Sequence, residues 1–328
     1  MKEVVVSFVN LLRFACALTI LGWIPIGSAQ PYPAKPVRLV VPFTPGSASD
    51  ILARAVSQRL SAKWGQPVVV DNRPGAGGTI GTALVARSTA DGHTLVVVSA
   101  GHVVNPVIYG NLSYDTLRDF SGVIPLANLP SVLAVSRDTR VSTVREFINL
   151  AKTRREGLNF VTGGVGSGSH VNAEKFRIAA GISATHIPMK GAADMLTEIM
   201  SGRVQYGFLP IIAAVSAVKE GRVRALAVSS DRRSSALPDV PTIVEAGLPD
   251  ARFDFWIGLL APAGVPRPVV QKLNTDIARL LSLPEVEQRL AGLGAIPMPM
   301  SPENFDAFMR KEATELGALM RTAGVKSN

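Results

Sequence analysis

The chain has 328 residues, 34 Lys and Arg against 25 Asp and Glu for a formal net charge of +9, and 47% of it is hydrophobic. At roughly 100–200 residues per domain this length suggests two lobes, and the high apolar content with little charge argues against disorder. A single cysteine, Cys16, excludes an internal disulfide and a cysteine zinc cluster, and no repeat of a few dozen residues points to a solenoid.

Lys2 and Arg13 flank an apolar stretch from Phe14 to Ile26, followed by Gly27-Ser28-Ala29. Small residues just before Gln30 suit a signal peptidase, so residues 1–29 are expected to be an export signal cleaved near Ala29, leaving a periplasmic chain. The apolar run is shorter than the roughly 20 residues needed to span a bilayer, and Gly22 and Pro25 interrupt it. The basic residues are scattered, and the densest pairs, Arg154-Arg155 and Arg232-Arg233, have no aromatic interleaving. Nucleic acid is therefore not an expected partner.

From Val37 onward, short β-branched runs alternate with helical patterns, the mark of βαβ units. Val37 to Phe43 reads as the first strand. After the Thr44-Pro45-Gly46-Ser47-Ala48-Ser49-Asp50 turn, Ile51, Leu52, Ala55, Val56 and Leu60 share one helical face, with Ser47 or Ser49 as N-cap. Pro67 to Val70 is the second strand, Asn72 to Gly78 a glycine-rich turn before a helix to about Arg87, and Thr94 to Ser99 the third strand. Between Phe120 and Val135, apolar stretches surround Pro125 and Pro130, where the chain is expected to cross into a second lobe. The next helix starts at Ser142, with Glu146 at or beside a capping-box position. The second lobe then holds strand Leu158 to Thr162, the Gly163 to Ser169 loop, a helix to Ala180, and strands around Ile187, Val204 and Val223. A return crossing falls near Phe253 to Leu260, and helices Pro266 to Leu281, Pro284 to Leu293 and Ser301 to Arg321 finish the chain. The expected organisation is an α/β two-lobe fold, each lobe a mixed sheet flanked by helices. Residues 30–130 plus 251–328 form lobe one, 131–250 form lobe two, and two crossings make a hinge.

In such a fold ligands sit beyond the carboxyl ends of strands and between lobes. That nominates loops 43–50, 72–79, 99–106, 162–170 and 189–193. They are rich in Gly, Ser, Thr and Ala and poor in ionisable groups. Gly46, Ser47 and Ser49 at one helix start, and Gly163 to Ser169 at another, offer backbone N–H groups and the positive end of a helix dipole, which accept an anion without arginine. Catalytic patterns are weak by comparison. There is no Gly-x-Ser-x-Gly elbow, the four histidines (His93, His102, His170 and His186) form no HxxxH pair, and Gly75-x-Gly77 departs from a dinucleotide fingerprint, so neither a metal nor a cofactor is expected. Trp256, at the return crossing, is expected to pack the hinge rather than line the cleft.

Six blocks occur in order: VRLVVPFTPGSASD (37–50), NRPGAGG (72–78), TGGVGSGSH (162–170), HIPMKGAADMLTEIMSG (186–202), LPDVPTIVEAGL (237–248) and WIGLLAPAGVP (256–266). Together they resemble the Bug-type extracytoplasmic solute receptors, the substrate-binding component of tripartite tricarboxylate transporters. The resemblance implies a periplasmic binding protein of type II, not an enzyme, that delivers a small organic carboxylate to membrane transporter subunits. Presentation to a membrane sensor kinase is an alternative use of the same binding chemistry. An exported hydrolase or lyase using Asp50, His170 and Lys190 is the reading from another class. Carried over by position, the resemblance implies a carboxylate gripped by backbone amides and waters at Phe43, Thr44, Gly46, Ala48 and Asp50 in lobe one. In lobe two it implies Thr162, Gly163, Gly166, Ser167 and His170. Ser47, Ser99, Lys190, Gly191 and Ala192, on the nominated loops, complete the expected site with Gln205. Three positions depart from the family pattern: Ser47 replaces a second glycine, Met189 a tyrosine, and Gln205 an aspartate. A missing acid at 205 favours a plain or aromatic carboxylate over an amino acid.

Overall fold

The computed structural model describes residues 32–155 and 157–326. The expected export signal, residues 1–29, lies outside the described residues. The chain builds two mixed sheets. Strand β1 (Val37–Val41) is buried almost throughout, as a central parallel strand must be. It turns into α1 (Ala48–Trp64), which stops at Gly65 in the left-handed region, where the Gly65 N–H closes on Ser61 O. Strand β2 (Val68–Asn72), helix α2 (Thr79–Ala86) and strand β3 (Thr94–Ser99) follow, with β2 and β3 parallel to β1 on either side. After the short α3 (Asn105–Ile108), β4 (Phe120–Leu129) enters the same sheet and β5 (Ser131–Val135) enters the other, so the chain changes sheets at Pro130.

The second sheet is built by α4 (Val144–Thr153), β6 (Leu158–Thr162), α5 (Gly168–Ala180), β7 (Ala184–Pro188), α6 (Ala192–Met200), β8 (Tyr206–Pro210), α7 (Ile211–Lys219) and β9 (Arg224–Val228). Its strand order is β7-β6-β8-β5-β9. Thr143 caps α4, one residue past the expected Ser142: Glu146 N donates to Thr143 Oγ1 at 3.1 Å, and the Glu146 side chain reaches one residue beyond the N-cap, accepting from Ser142 N at 2.6 Å. Rings from Phe147, Phe160, Phe176, Tyr206 and Phe208 fill one side of this sheet, while Met195, Ile199 and Leu209 pack in the cluster on α6 and α7.

Strand β10 (Phe255–Pro262) returns to the first sheet between β3 and β4, antiparallel to both. Helices α8 (Arg267–Leu281) and α9 (Pro284–Gly292), the two-residue β11 (Ile296–Pro297) and α10 (Pro302–Thr322) complete it. Pro125 does not break β4. It pairs with Gly258 where the register against β10 slips, a bulge that tolerates the missing N–H. Trp256 packs as expected: it is buried, edge-on to Phe305 and Phe308, and its Nε1 donates to Glu312 Oε2 at 3.1 Å.

Candidate functional site

Two strand-to-helix junctions share one plan. After β1 the chain turns at Gly46, whose φ of +79° is open to glycine, and Ser47 follows in extended backbone (φ −66°, ψ 159°) as N-cap of α1. After β6, Gly166 (φ +80°) and Ser167 (φ −67°, ψ 159°) repeat this before α5. Each serine hydroxyl accepts the N–H three residues on, from Asp50 and His170 respectively, both at 3.3 Å. Each glycine N–H is held by the side chain four residues on: Gly46 donates to Asp50 Oδ2 at 2.9 Å and Gly166 donates to His170 Nδ1 at 3.1 Å.

Those two side chains brace the loops from behind. Asp50 also accepts from Arg54 Nε and, at 3.0 Å, from Asn72 Nδ2. Burial pulls its pKa up, but the bonds from Arg54, Gly46 and Asn72 prevail and hold the carboxyl below its ordinary range. His170 is pushed down to about 3 by burial first and then by the nearby His186 and Arg177. It is therefore neutral, and because Nδ1 accepts from Gly166 its proton sits on Nε2, 3.8 Å from Glu174 Oε1. His186 stacks on it with ring centres 4.0 Å apart.

Between the sheets lies a cavity of about 40 Å³. Four helices present their first turns to it: α1 through Ser47, Ala48 and Ser49, α5 through Ser167, Gly168 and Ser169, α6 through Gly191 and Ala192, and α7 through Pro210. The N-terminal N–H groups of a helix have no intrahelical partner, and its dipole adds about 0.3–2 kcal/mol for a facing anion. No side chain caps α6 or α7. Ser99 from β3 and the apolar Phe43, Met195 and Phe255 complete the wall, and among the described residues that line it none is ionisable. Inside it the hydroxyls are chained: Gly163 N donates to Ser169 Oγ at 2.9 Å, and Ser169 Oγ lies 3.0 Å from Ser167 Oγ. An anion here meets hydroxyls and amide dipoles, with no side-chain cation.

The expected residues divide accordingly. Phe43, Ser47, Ala48, Ser99, Gly163, Ser167, Gly191 and Ala192 line the cavity, whereas Gly46, Asp50, Gly166 and His170 form the braces behind it. Thr162 lies beneath the loop, its hydroxyl donating to Gly164 O at 3.2 Å and 2.6 Å from His186 Nε2. Thr44 abuts Gly191 across the cleft. Lys190 is exposed, on a neighbouring groove of about 300 Å³ that meets the cavity at Phe43 and Gly163 and also holds Gly77, Tyr109, Val165 and Met189.

Gln205 corrects the expectation. It precedes β8, whose other end, Pro210, reaches the cavity, and its Oε1 accepts from Asn159 N at 2.8 Å. The departure at 205 thus lies at the end of β8 away from this cavity. Ser49, Gly168 and Ser169, expected with their loops but not among the carried-over site residues, also line the cavity, and Met195, Pro210 and Phe255 were not expected at all. The first three continue the capping motifs already identified, and Pro210 marks a strand-to-helix junction of the same kind. Met195 and Phe255 reach the cavity through packing and carry no local signal. Asp50, His170 and Lys190 do not assemble as a hydrolytic site, since the first two are committed to separate loops and the third is at the surface.

The model of the tripartite tricarboxylate transporter family receptor matches residues 52–325. The chain belongs to that receptor family. Protein BugT of Bordetella pertussis is 32% identical over 301 residues, 91% of this receptor and 92% of BugT. Among solved structures, Rpa4515 of R. palustris with adipate superposes with a TM-score of 0.87 at 34% identity, covering 90% of this receptor and all of that chain. MatC from Rhodopseudomonas palustris with bound malate gives 0.83 at 32% identity, covering 88% and 99%. These relatives establish a two-lobe α/β solute receptor of the Bug type, not an enzyme.

Proposed function

We propose that the receptor is exported to the periplasm, takes a small organic carboxylate into the cavity between its lobes and delivers it to membrane transporter subunits. The observation that carries this reading is the meeting of four helix N-termini and a row of serine hydroxyls in a cavity lined by no ionisable side chain. Such an arrangement favours a negative charge while leaving no reactive group beside it. Water-bridged contacts are adequate for the remaining lone pairs, being nearly as favourable as direct ones. Adipate and malate in the two R. palustris structures are consistent with this ligand class.

No lining acid is present to pair with an ammonium, which supports a plain carboxylate over an amino acid. The carboxylate contacts we assign are Ser47, Ala48 and Ser49 in the first lobe and Ser167, Gly168 and Ser169 in the second. The narrow cavity and the adjoining groove suit a slender acid with its carboxylate innermost. The test is thermal unfolding of ligand-free protein against a panel of mono-, di- and tricarboxylates. A true ligand at about 100 times its Kd stabilises the fold by about 2.7 kcal/mol. Should no acid in the panel raise the melting temperature, the reading fails.

A further inference from the structure

Where the two lobes meet, glycines of one face main-chain or polar atoms of the other. A Cβ at Gly77 or Gly101 would fall well inside van der Waals contact with the carbonyl oxygen of Val165 or Gly166 respectively, and one at Gly191 would strike Thr44 Oγ1. A Cβ at Gly166 would lie 2.6 Å from Asn105 Oδ1. Gly77 and Gly166 have positive φ, so their own backbone already calls for glycine. Gly101 has no such requirement. The three nearest atoms to a Cβ there, Gly166 O with Gly168 N and Ser167 C at 2.9 Å, all belong to the loop of the opposite lobe. Eight residues on, the Tyr109 hydroxyl donates to Val165 O at 2.7 Å. Gly110, next to it, has nothing within 4 Å of a Cβ.

We infer that Gly101 and Tyr109 are positioning residues for solute capture: they dock the 100–109 segment of the first lobe on the 163–168 loop of the second, setting how readily the receptor closes. This rests on the cavity being the solute site. Gly101 lines neither the cavity nor the groove and Tyr109 borders the groove but not the cavity, whereas Gly163, Ser167 and Gly168 of the loop they dock line the cavity. The backbone that would hold the carboxylate is the backbone against which the lobes press. When only the closed form binds tightly, apparent affinity scales with the closed fraction. A side chain that blocks docking therefore weakens binding without touching the solute.

The experiment compares wild type, Gly101→Ala, Tyr109→Phe and the control Gly110→Ala. Small-angle scattering is recorded without addition and with millimolar adipate or malate, and binding kinetics are measured for whichever acid binds. Wild type and Gly110→Ala are expected to fit the structure in which Gly101 and Tyr109 meet the 163–168 loop, which we take as the closed form, with or without acid. Gly101→Ala is expected to stay expanded under both conditions, and to bind roughly tenfold or more weakly as its closed fraction falls. Tyr109→Phe, losing one hydrogen bond, should weaken affinity by about 2–10-fold. A Gly101→Ala protein that compacts and holds acid like wild type overturns the inference, as does a wild type that fits the closed structure under no condition. If neither acid binds but ligand-free wild type is closed and Gly101→Ala open, the seam stands and the choice of carboxylate is what has failed.

Discussion

Asp50 shows how a site can depend on a residue that does not line it. Its buried carboxylate accepts from Gly46 N–H, Arg54 and Asn72, and so fixes the turn that aims Ser47, Ala48 and Ser49 at the cavity. Asp50→Asn replaces one acceptor oxygen with a donor facing other donors. It should cost about 1–3 kcal/mol of stability at neutral pH and weaken carboxylate binding, although the cavity lining is unchanged. The acid dependence has a definite sign. A carboxyl with a folded pKa held below 3.8 stabilises above the unfolded value, and that contribution is lost as pH falls through the folded pKa. Urea unfolding of both proteins at neutral and strongly acid pH checks this: the gap between them should close at the acid end. A gap that persists there, or an Asp50→Asn protein as stable as wild type at neutral pH, would show that the brace is not electrostatic.

The strand-to-helix junctions were legible in the sequence because their turn chemistry is local. Gly46-Ser47 and Gly166-Ser167 state a positive φ followed by an N-cap, and the structure gives both the same backbone. Gln205 was misplaced for the opposite reason. The expected strand around Val204 puts Gln205 towards its carboxyl end, whereas β8 begins after it at Tyr206, runs parallel to β6 and turns its carboxyl end, Pro210, to the cavity. The change of sheet around Pro130 was visible as a proline between apolar runs, whereas the lacing of the crossings was not. Ser229 Oγ donates to Phe253 O at 2.8 Å and accepts from Ser131 N at 2.9 Å, and Ser229 N donates to Ser131 O at 2.7 Å, all in fully or nearly fully buried surroundings. Ser131, 98 positions away, is brought to Ser229 by the pairing of β5 with β9, and Phe253, 24 positions away, by the return crossing. Ser229→Ala leaves the Ser131 N–H and the Phe253 carbonyl without these partners, at about 1–3 kcal/mol each. Denaturant titration should show a lower midpoint with an unchanged slope; an unchanged midpoint would mean that the lacing contributes nothing to the hinge.

Both lobes bury neutral histidine, so the whole molecule carries a pH dependence that neither lobe's surface reveals. In the first lobe, His102 Nε2 donates to Thr116 O at 2.8 Å while Nδ1 is buried with no hydrogen-bond partner, and burial drives its pKa down to about 4. In the second, burial drives His186 to about 4 and, with His186 and Arg177 beside it, His170 to about 3. An unfolded histidine takes its proton near 6.5. Between that value and about 4 the unfolded chain therefore holds more protons, so this contribution to stability is complete above 6.5 and is lost as the pH falls. His102, apart from the stacked pair, supplies up to about 1.4 kcal/mol per pH unit across that window. Protonation of His102, His170 and His186 also adds to a formal charge of +9, and self-repulsion acts in the same direction. Asp306 and Glu312, raised by burial, act against it over the acid end of the range. Unfolding free energies measured in steps downward from neutral pH should thus fall once the pH passes below 6.5, and His102→Gln should make that descent shallower. Stability that stays level or climbs over the same interval would mean that these rings are charged in the folded protein, which the Gly166 N–H to His170 Nδ1 bond forbids for the second lobe.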